Sequence, residues 1–252
     1  MTDHDAGKWD QIANDYFKYI FSPFNSAMTC GIFPRNPIVT ILRGLQNVRI
    51  LDVGCGPGNL LFHVPVDRWI AVTGVDQSVE SIRMATETAD NLGVMFNGWQ
   101  GDITRLNLST KFDVIVCVNA ILPRKRSNIQ KILNTVASHK LETGKCLFIL
   151  PSFDTLEHLR SLYIAENMLL DAANISGRML IEKLAYVVYD EQGNTDCQCY
   201  HTSKSIVSDF SAAGLTISHM SKVYYPWDLS NQYEYGYFPG KEEIWDWFVV
   251  AE

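Results

Sequence analysis

The sequence predicts an α/β fold, a mostly parallel β-sheet covered by helices on both faces. Three observations lead there. Four short runs, RILDVG (49–54), IAVTGVD (70–76), FDVIVCVN (112–119) and KCLFILPSF (145–153), are apolar nearly throughout and rich in β-branched residues. Segments with apolar residues at helical spacing alternate with them. The first run ends in a tight glycine cluster, GCGPG (54–58). Strands buried on both faces lose the polar alternation of half-exposed strands, and their alternation with helices marks a parallel sheet.

The elements follow in order. Residues 8–21 place Trp9, Ile12, Ala13, Tyr16, Phe17 and Ile20 at helical spacing. Ser22-Pro23 stops that helix, because the residue before proline is pushed out of helical geometry. A loop over 25–37 leads to a helix from Pro37 to Leu45, with proline tolerated in its first turn. After the strand at 49–54 and a short helix, the strand at 70–76 precedes a helix over 77–91. A weaker strand spans 95–99. The strand at 112–119 precedes a helix over 124–140, and the strand at 145–153 a helix over 155–173. LAYVVYD (184–190) and DCQCYHT (196–202) read as a hairpin around a Gly-Asn turn. A helix over 203–213 stops at Gly214, and strands at 215–225 and 244–251 flank an aromatic-rich loop.

The chain has 252 residues and a formal net charge of -7. Its length and its 47% apolar content suit one domain with a substantial core. The acidic balance disfavours a nucleic-acid surface, where affinity depends on neutralising phosphates. No apolar run reaches the ~18 residues of a membrane span. The N-terminal segment MTDHDAGKWDQ is polar and unlike a secretion signal. None of the six cysteines forms a Cys-x-x-Cys pair, and Cys117 and Cys146 sit inside apolar runs. A reduced, cytoplasmic protein is expected.

The glycine cluster lies where ligands bind in such sheets, beyond the carboxyl ends of the strands. Gly54 permits a sharp turn, and Gly56 and Gly58 remove Cβ atoms from the path of a ligand. The amides of the next short helix face the same space. Asp76, ending the second strand, is placed to accept hydrogen bonds from two ribose hydroxyls. That feature fits an adenine dinucleotide or S-adenosylmethionine. The spacing G-x-G-x-G differs from the G-x-G-x-x-G of dinucleotide sites. Asp102, in QGDI (100–103), can accept from an adenine amino group while the Ile103 amide donates to a ring nitrogen. Asp52 has two readings, reaching a cofactor amine through water or capping the loop backbone.

LDVGCGPG, VD at 75–76, GDI at 101–103 and FDVIVCVN at 112–119, in this order and spacing, resemble the class I S-adenosylmethionine-dependent methyltransferases. The likeness covers roughly residues 45–155 and is to small-molecule members such as those of ubiquinone and menaquinone biosynthesis. It implies a Rossmann-like, seven-stranded sheet with an antiparallel last strand. It also implies one domain: lid helices over 1–45, a cofactor core over 46–155, a cap insertion with a hairpin over 156–202, and C-terminal strands with an aromatic loop over 203–252. By this resemblance Gly54, Gly56 and Gly58 line the methionine side of S-adenosylmethionine. Asp76 holds the ribose, Asp102 and Ile103 the adenine, and Asn119 lies beneath the sulfonium. Tyr16, in WDQIANDY, closes over the cofactor. Asp52, Cys55, Gln77 and Gly101 complete the expected contacts.

Methyl transfer from a sulfonium needs alignment and exclusion of water more than acid–base chemistry, so strong catalytic signatures are not expected. Tyr16, His158, His201 and His63 are candidate bases, although a lone histidine is more often a satisfied polar residue than a catalyst. The position after the fourth strand reads Asn119-Ala120-Ile121-Leu122, without the Pro-Pro-aromatic clamp of enzymes that methylate amino groups of bases and glutamine. A small-molecule acceptor is therefore expected. Tyr224, Tyr225, Trp227, Tyr233, Tyr235, Tyr237 and Phe238 suit a planar apolar acceptor or a cation held by ring faces, or simply pack the loop. Cys197, Cys199 and His201 share one strand face, but no fourth ligand accompanies them and no metal is expected. Arg124-Lys125-Arg126 reads as the solvated start of a helix, with a grip on an anionic substrate as the alternative. The competing functions are a nicotinamide-dinucleotide oxidoreductase, a non-catalytic S-adenosylmethionine-binding scaffold, and a methyltransferase acting on protein side chains.

Overall fold

Ile50, Leu51 and Val53 of β1 (Arg49–Val53) are all buried, but they serve two different cores. Ile50 joins Val114 and Val116 of β4 (Phe112–Val118) and Leu147 and Ile149 of β5 (Lys140–Leu150) on one face. Leu51 and Val53 join Ile115, Cys117, Cys146, Phe148 and Leu150 on the other. Successive strand side chains point to opposite faces, so an apolar run in a central strand supplies two cores at once. On the first face the partners include Ile38 and Leu42 of α3 (Pro37–Gly44), Ala85 and Ala89 of α4 (Val79–Leu92), and Leu156 and Leu159 of α6 (Phe153–Ala165). On the second face they include Ile129, Leu133 and Val136 of α5 (Ser127–His139) and Ile206 and Phe210 of α7 (Ser203–Ala212). Each large side chain buried this way contributes about 1.5–3 kcal/mol.

The computed structural model describes residues 6–16, 20–29, 35–123, 125–166, 178–180, 185–189, 195–232 and 235–252. With β2 (Ala71–Asp76), β3 (Met95–Gln100), β9 (Ile217–Tyr224) and β10 (Trp245–Ala251), the seven-stranded sheet has the order β3-β2-β1-β4-β5-β10-β9. The first five strands are parallel, and β10 runs antiparallel to both β5 and β9. The chain leaves β1 toward β2 and β3, then returns to the other side of β1 for β4 and β5. This reversal opens a crevice at the carboxyl ends of β1 and β4. The expected Rossmann-like architecture and its antiparallel last strand are thus observed.

Several boundaries differ from expectation. The first helix is α1 (Ala6–Ile12), followed by a 3-10 turn at Ala13–Asp15. The rest of the expected helix, including Phe17, lies outside the described residues. The strand expected to reach 153 stops at Leu150, because the Ser152 hydroxyl accepts the Thr155 amide at 3.1 Å and starts α6. The expected continuation of α6 to 173 lies beyond the described residues. The expected hairpin is present as β7 (Ala185–Tyr189) and β8 (Thr195–Cys199), with its turn outside the described residues. A third strand, β6 (Arg178–Leu180), pairs with β7 and was not anticipated. The expected loop over 25–37 contains a short helix, α2 (Ser26–Thr29), and the expected loop before β10 contains another, α8 (Trp227–Gln232). Among the described residues no helix is long and apolar enough to cross a membrane.

Gly58 shows how tightly the core is drawn together. Its φ is +88°, and a Cβ there would lie 3.0 Å from the Ala85 Cα and 2.9 Å from a Leu61 methyl. The expected reason for this glycine was room for a ligand, but the space it vacates is filled by α4. Gly58→Ala combines left-handed strain with overpacking, so a loss of about 1–3 kcal/mol is expected in urea unfolding.

Candidate active site

The turn after β1 is held by main-chain bonds. The amides of Gly54 and Cys55 both donate to the Val75 carbonyl, at 2.7 and 3.1 Å, which pins the loop to the end of β2. Gly54 has φ +68°, and a Cβ there would stand 2.3 Å from the Ala120 Cβ. The glycine therefore lets the chain leaving β4 cross close to the chain leaving β1. Gly56, with φ +51°, lies under the Tyr16 ring; a Cβ there would be 3.7 Å from Tyr16 Cε2. Conformation, more than crowding, calls for glycine at Gly56. The Cys55 side chain is buried and turned toward Gly74, away from the crevice, so only its main chain remains available there.

Asp76 joins this loop to the next helix. One carboxylate oxygen accepts the Gly56 amide at 2.9 Å and the other accepts the Ser78 amide at 2.9 Å. Ser78 in turn caps α4 by accepting the Ser81 amide at 2.9 Å. Burial raises the Asp76 pKa above the usual carboxylate range, its main-chain donors counter this, and Asp10 adds to the rise. Asp52, almost wholly buried, is pushed up to about 7 by burial and by the nearby Asp76.

A cavity of about 100 Å³ opens at this crevice. It is lined by Gly54, Asp76, Gln77, Gly101, Ile103 and Asn119, together with Trp9 and Tyr16 of the N-terminal segment. Gly101 is held by its amide donating to the Asp76 carbonyl at 2.8 Å, and a Cβ there would meet nothing within 4 Å. Asp102 does not line the cavity. One of its oxygens accepts the Thr104 amide and hydroxyl, at 2.9 and 2.8 Å, which caps the 3-10 turn Ile103–Arg105. Asn119 has φ +51°, uncommon for a residue with a side chain, and its amide donates to Ile149 at 2.9 Å. The Asn119 Oδ1 and Gln77 Oε1 atoms are buried and have no hydrogen-bond partner.

A second cavity, of about 210 Å³, shares Trp9, Tyr16, Asn119 and Leu122 with the first. Its walls include Phe21, Tyr200, Tyr225, Tyr235 and Trp245, and Asp246 and Ser152 form part of its lining. The aromatic cluster expected from sequence divides in two. Tyr225 and Tyr235 face this cavity and pack on Phe21, with ring centroids 4.3 and 5.1 Å away. Trp227 and Phe238 instead pack edge to face at 5.3 Å within the core. Tyr237 is exposed, and Tyr233 lies outside the described residues.

The histidines do not join this site. His201 is buried and bonds the Ile121 carbonyl at 2.9 Å, and burial lowers its pKa to about 4. Its main chain bridges to Pro151 and Phe153, so its place is structural. His158 bonds the Glu242 carbonyl at 2.8 Å and lies against Trp245, behind the cavity wall. His63 stacks on Phe24. Cys199 packs in the second core, and no group of metal-ligating side chains occurs among the described residues. The Cys197 side chain and Arg124 lie outside the described residues. Arg126 is not simply solvated but pairs with Asp209 of α7 at 2.7 Å.

Sequence reasoning missed two residues. Asp10 of α1 accepts the Ser78 hydroxyl and, at 3.1 Å, the Glu80 amide, so the N-terminal segment docks on the start of α4. Asp246 is a lone carboxylate in the apolar run IWDWFVVA, a signal that was present. The antiparallel direction of β10 brings its first residues to the carboxyl end of β5.

Two expectations follow. Asp10→Ala removes a cap worth about 1 kcal/mol, so amide hydrogen exchange in α1 should rise about fivefold while exchange in β1 and β4 stays unchanged. Asp52 and Asp76 hold protons more tightly in the folded chain than in the unfolded one. Stability from the protonated Asp52 is complete below the unfolded pKa and is lost as pH rises through about 7. Urea unfolding should therefore show stability falling from pH 5 to pH 8, on a slope of up to about 1.4 kcal/mol per pH unit per group, and a shallower fall in Asp52→Asn.

Residues 45–205 match the family model described as a methyltransferase domain. The chain is 28% identical over 120 residues to a ubiquinone biosynthesis O-methyltransferase of Rickettsia canadensis, covering 48% of each chain. It is 32% identical over 92 residues to the enzyme of the same name from Haemophilus ducreyi, covering 34% of this chain and 39% of that one. The chain thus spans about half the length or less of these curated relatives. Among solved structures, the CcbJ methyltransferase of Streptomyces caelestis superposes with a TM-score of 0.63 at 16% identity, covering 99% of both chains. An S-adenosylmethionine-dependent methyltransferase of Clostridium acetobutylicum gives 0.58 at 16% identity, covering 97% of this chain and 98% of that one. At these identities the structural likeness speaks for the fold, and the family match decides membership. With its crevice at the β1/β4 reversal and this match across more than half its length, the chain belongs to the methyltransferase-domain family.

Proposed function

We propose that the chain transfers a methyl group from S-adenosylmethionine to a small molecule held in the second cavity. The observation that carries this reading is the junction of the two cavities at Asn119 and Tyr16, one floored by the glycine turn and Asp76, the other walled by aromatic rings. The residues present fit the cofactor. Gln77 Oε1 and Asn119 Oδ1 are buried acceptors that lack donors, Gly54 and Gly101 line the cavity with main chain alone, and a Cβ at Gly101 would meet nothing within 4 Å. Solved relatives of the same fold include one named as S-adenosylmethionine-dependent, and the curated relatives are named as O-methyltransferases.

When bound, S-adenosylmethionine supplies a methyl group on positively charged sulfur, already bearing a good leaving group. The chain's own residues bind and align. Asp76 accepts the ribose hydroxyls, Ile103 and Gly101 border the adenine with Asp102 beside them, and Gln77 lies at the rim. Gly54, Gly56 and the main chain of Cys55 border the methionine portion. Asp52 is buried in β1 beside Asp76. Tyr16 and Trp9 cover the junction and exclude water, and Asn119 marks where acceptor and methyl meet. Gly58 serves packing. Alignment of this kind supplies much of the rate in a displacement reaction.

The enclosure of the second cavity by residues from both ends of the chain supports a small acceptor over a protein side chain. The acidic balance speaks against nucleic acid, and a cytoplasmic setting remains our reading from the sequence. We read the whole chain as one domain with its cap built around the core.

Asp76→Ala removes two charge-assisted hydrogen bonds to the ribose, so calorimetric titration with S-adenosylmethionine should show affinity at least about tenfold weaker. Unchanged affinity would take Asp76 out of the site. Incubation with isotopically labelled cofactor and a metabolite extract should yield mass-shifted products, and their absence would favour a non-catalytic binding role.

A further inference from the structure

Asp246 sits at the inner wall of the second cavity, 8% exposed. One carboxylate oxygen accepts the Ser152 amide at 3.2 Å. The other accepts the Tyr225 hydroxyl at 2.6 Å and the Asn119 amide nitrogen at 3.4 Å. All three donors are neutral. Among the described residues Asp246 has no ion pair, and those lining the cavity include no lysine, arginine or histidine. A carboxylate buried with neutral donors alone keeps an unbalanced negative charge, which is costly away from water.

Asn119 sharpens the preference. Its nitrogen must face Asp246, since the reversed amide would set oxygen against carboxylate. Its Oδ1 is left as a buried acceptor without a donor. The second cavity is thus lined by two acceptor-bearing residues, Asp246 and Asn119, together with Trp9, Tyr16, Tyr200, Tyr225, Tyr235 and Trp245. A hydroxyl brings one O–H donor to such a pair, whereas an ammonium brings three N–H donors and carries the missing charge. Aromatic faces add attraction for a cation. A carboxylate or phosphate acceptor would meet repulsion from Asp246.

We infer that the second cavity takes an amine-bearing acceptor, and that the Asp246 carboxylate holds the amino group and removes its proton for methyl transfer. This rests on the methyl-transfer reading above. The arriving ammonium gives one proton to Asp246, which frees the nitrogen lone pair. That lone pair forms the nitrogen–carbon bond as the carbon–sulfur bond breaks, and sulfur keeps the bonding pair as a neutral thioether. The methylated product leaves as an ammonium, and Asp246 returns its proton to solvent. Burial pushes Asp246 up to about 6 against the pull of its three donors, a range suited to taking a proton near neutrality. Asp246 lies beyond the segment that matches the family model, so the acceptor class is not inherited with the core.

The test is calorimetry on the whole chain, first with S-adenosylhomocysteine alone and then, with that site filled, with phenethylamine, phenethyl alcohol and phenylacetate. The amine is expected to bind at least tenfold tighter than the alcohol, and phenylacetate not to bind. Asp246→Asn should weaken the amine at least tenfold and leave the alcohol unchanged. An alcohol or carboxylate that equals the amine, an amine that does not bind, or an amine advantage retained in Asp246→Asn overturns the inference. The ranking in the unaltered chain decides alone if the variant does not fold. If S-adenosylhomocysteine itself does not bind, the methyl-transfer reading fails and this inference with it. If it binds and the amine is not preferred, only this inference fails.

Discussion

The carboxylate of Asp76 is the joint around which the site is assembled. Its two oxygens take amides from Gly56 and Ser78, so a single side chain at the end of β2 fixes both the glycine turn after β1 and the first turn of α4. Ser78 passes the connection on to Asp10, and thereby to the N-terminal segment that carries Trp9 and Tyr16. Floor, rim and lid are therefore linked through a few hydrogen bonds around one acidic group. The bonds from main-chain amides offset part of the cost of burying its charge.

Three carboxylates, Asp52 and Asp76 in the last residues of β1 and β2 and Asp246 at the start of the antiparallel β10, share one edge of the sheet, and burial is the first cause of the raised pKa of each. The described lining of both cavities carries no cationic side chain. A crevice built this way favours positively charged ligands, because a cation there recovers part of the cost of burying the acids. S-adenosylmethionine carries such a charge on sulfur. The same field continues past Asn119 into the aromatic cavity, which Asp246 lines. Binding of both partners would then draw on one electrostatic arrangement.

The sheet was legible because period and burial agree in it. A strand such as VIVCV has no polar position to assign to solvent, so it can only be central, and the glycines after β1 mark the crevice. That Asp76, Asn119 and Tyr16 come together at this crevice was legible from their places relative to these strands. Gly58 was assigned to the right turn for a different reason, since its closeness to Ala85 depends on helix packing that local sequence does not display. The ending of β5 was misplaced because the choice between strand and helix at Ser152 is settled by a cap to Thr155 and a contact with Asp246 from 94 residues further on. The histidines drew attention as titratable groups, but their surroundings decide otherwise: His201 is locked onto Ile121, and His158 turns away to Glu242.

The part that was hardest to read is also the part that sets the acceptor. The second cavity is drawn from 9–21, from 119–122, from 151–156 and from 198–246, and nothing in the local pattern of any one segment announces the others. The turn at Gly54–Gly58 constrains its neighbours through main-chain geometry, which leaves little freedom for substitution. The aromatic walls constrain theirs through side-chain shape and charge, which many residues can satisfy. A chain of this fold can therefore hold its core steady while its acceptor side is rebuilt. The name of a relative informs the first half far better than the second. In this chain our inference gives that half to Asp246, because a charge buried beside an open cavity restricts what can enter more severely than any ring around it.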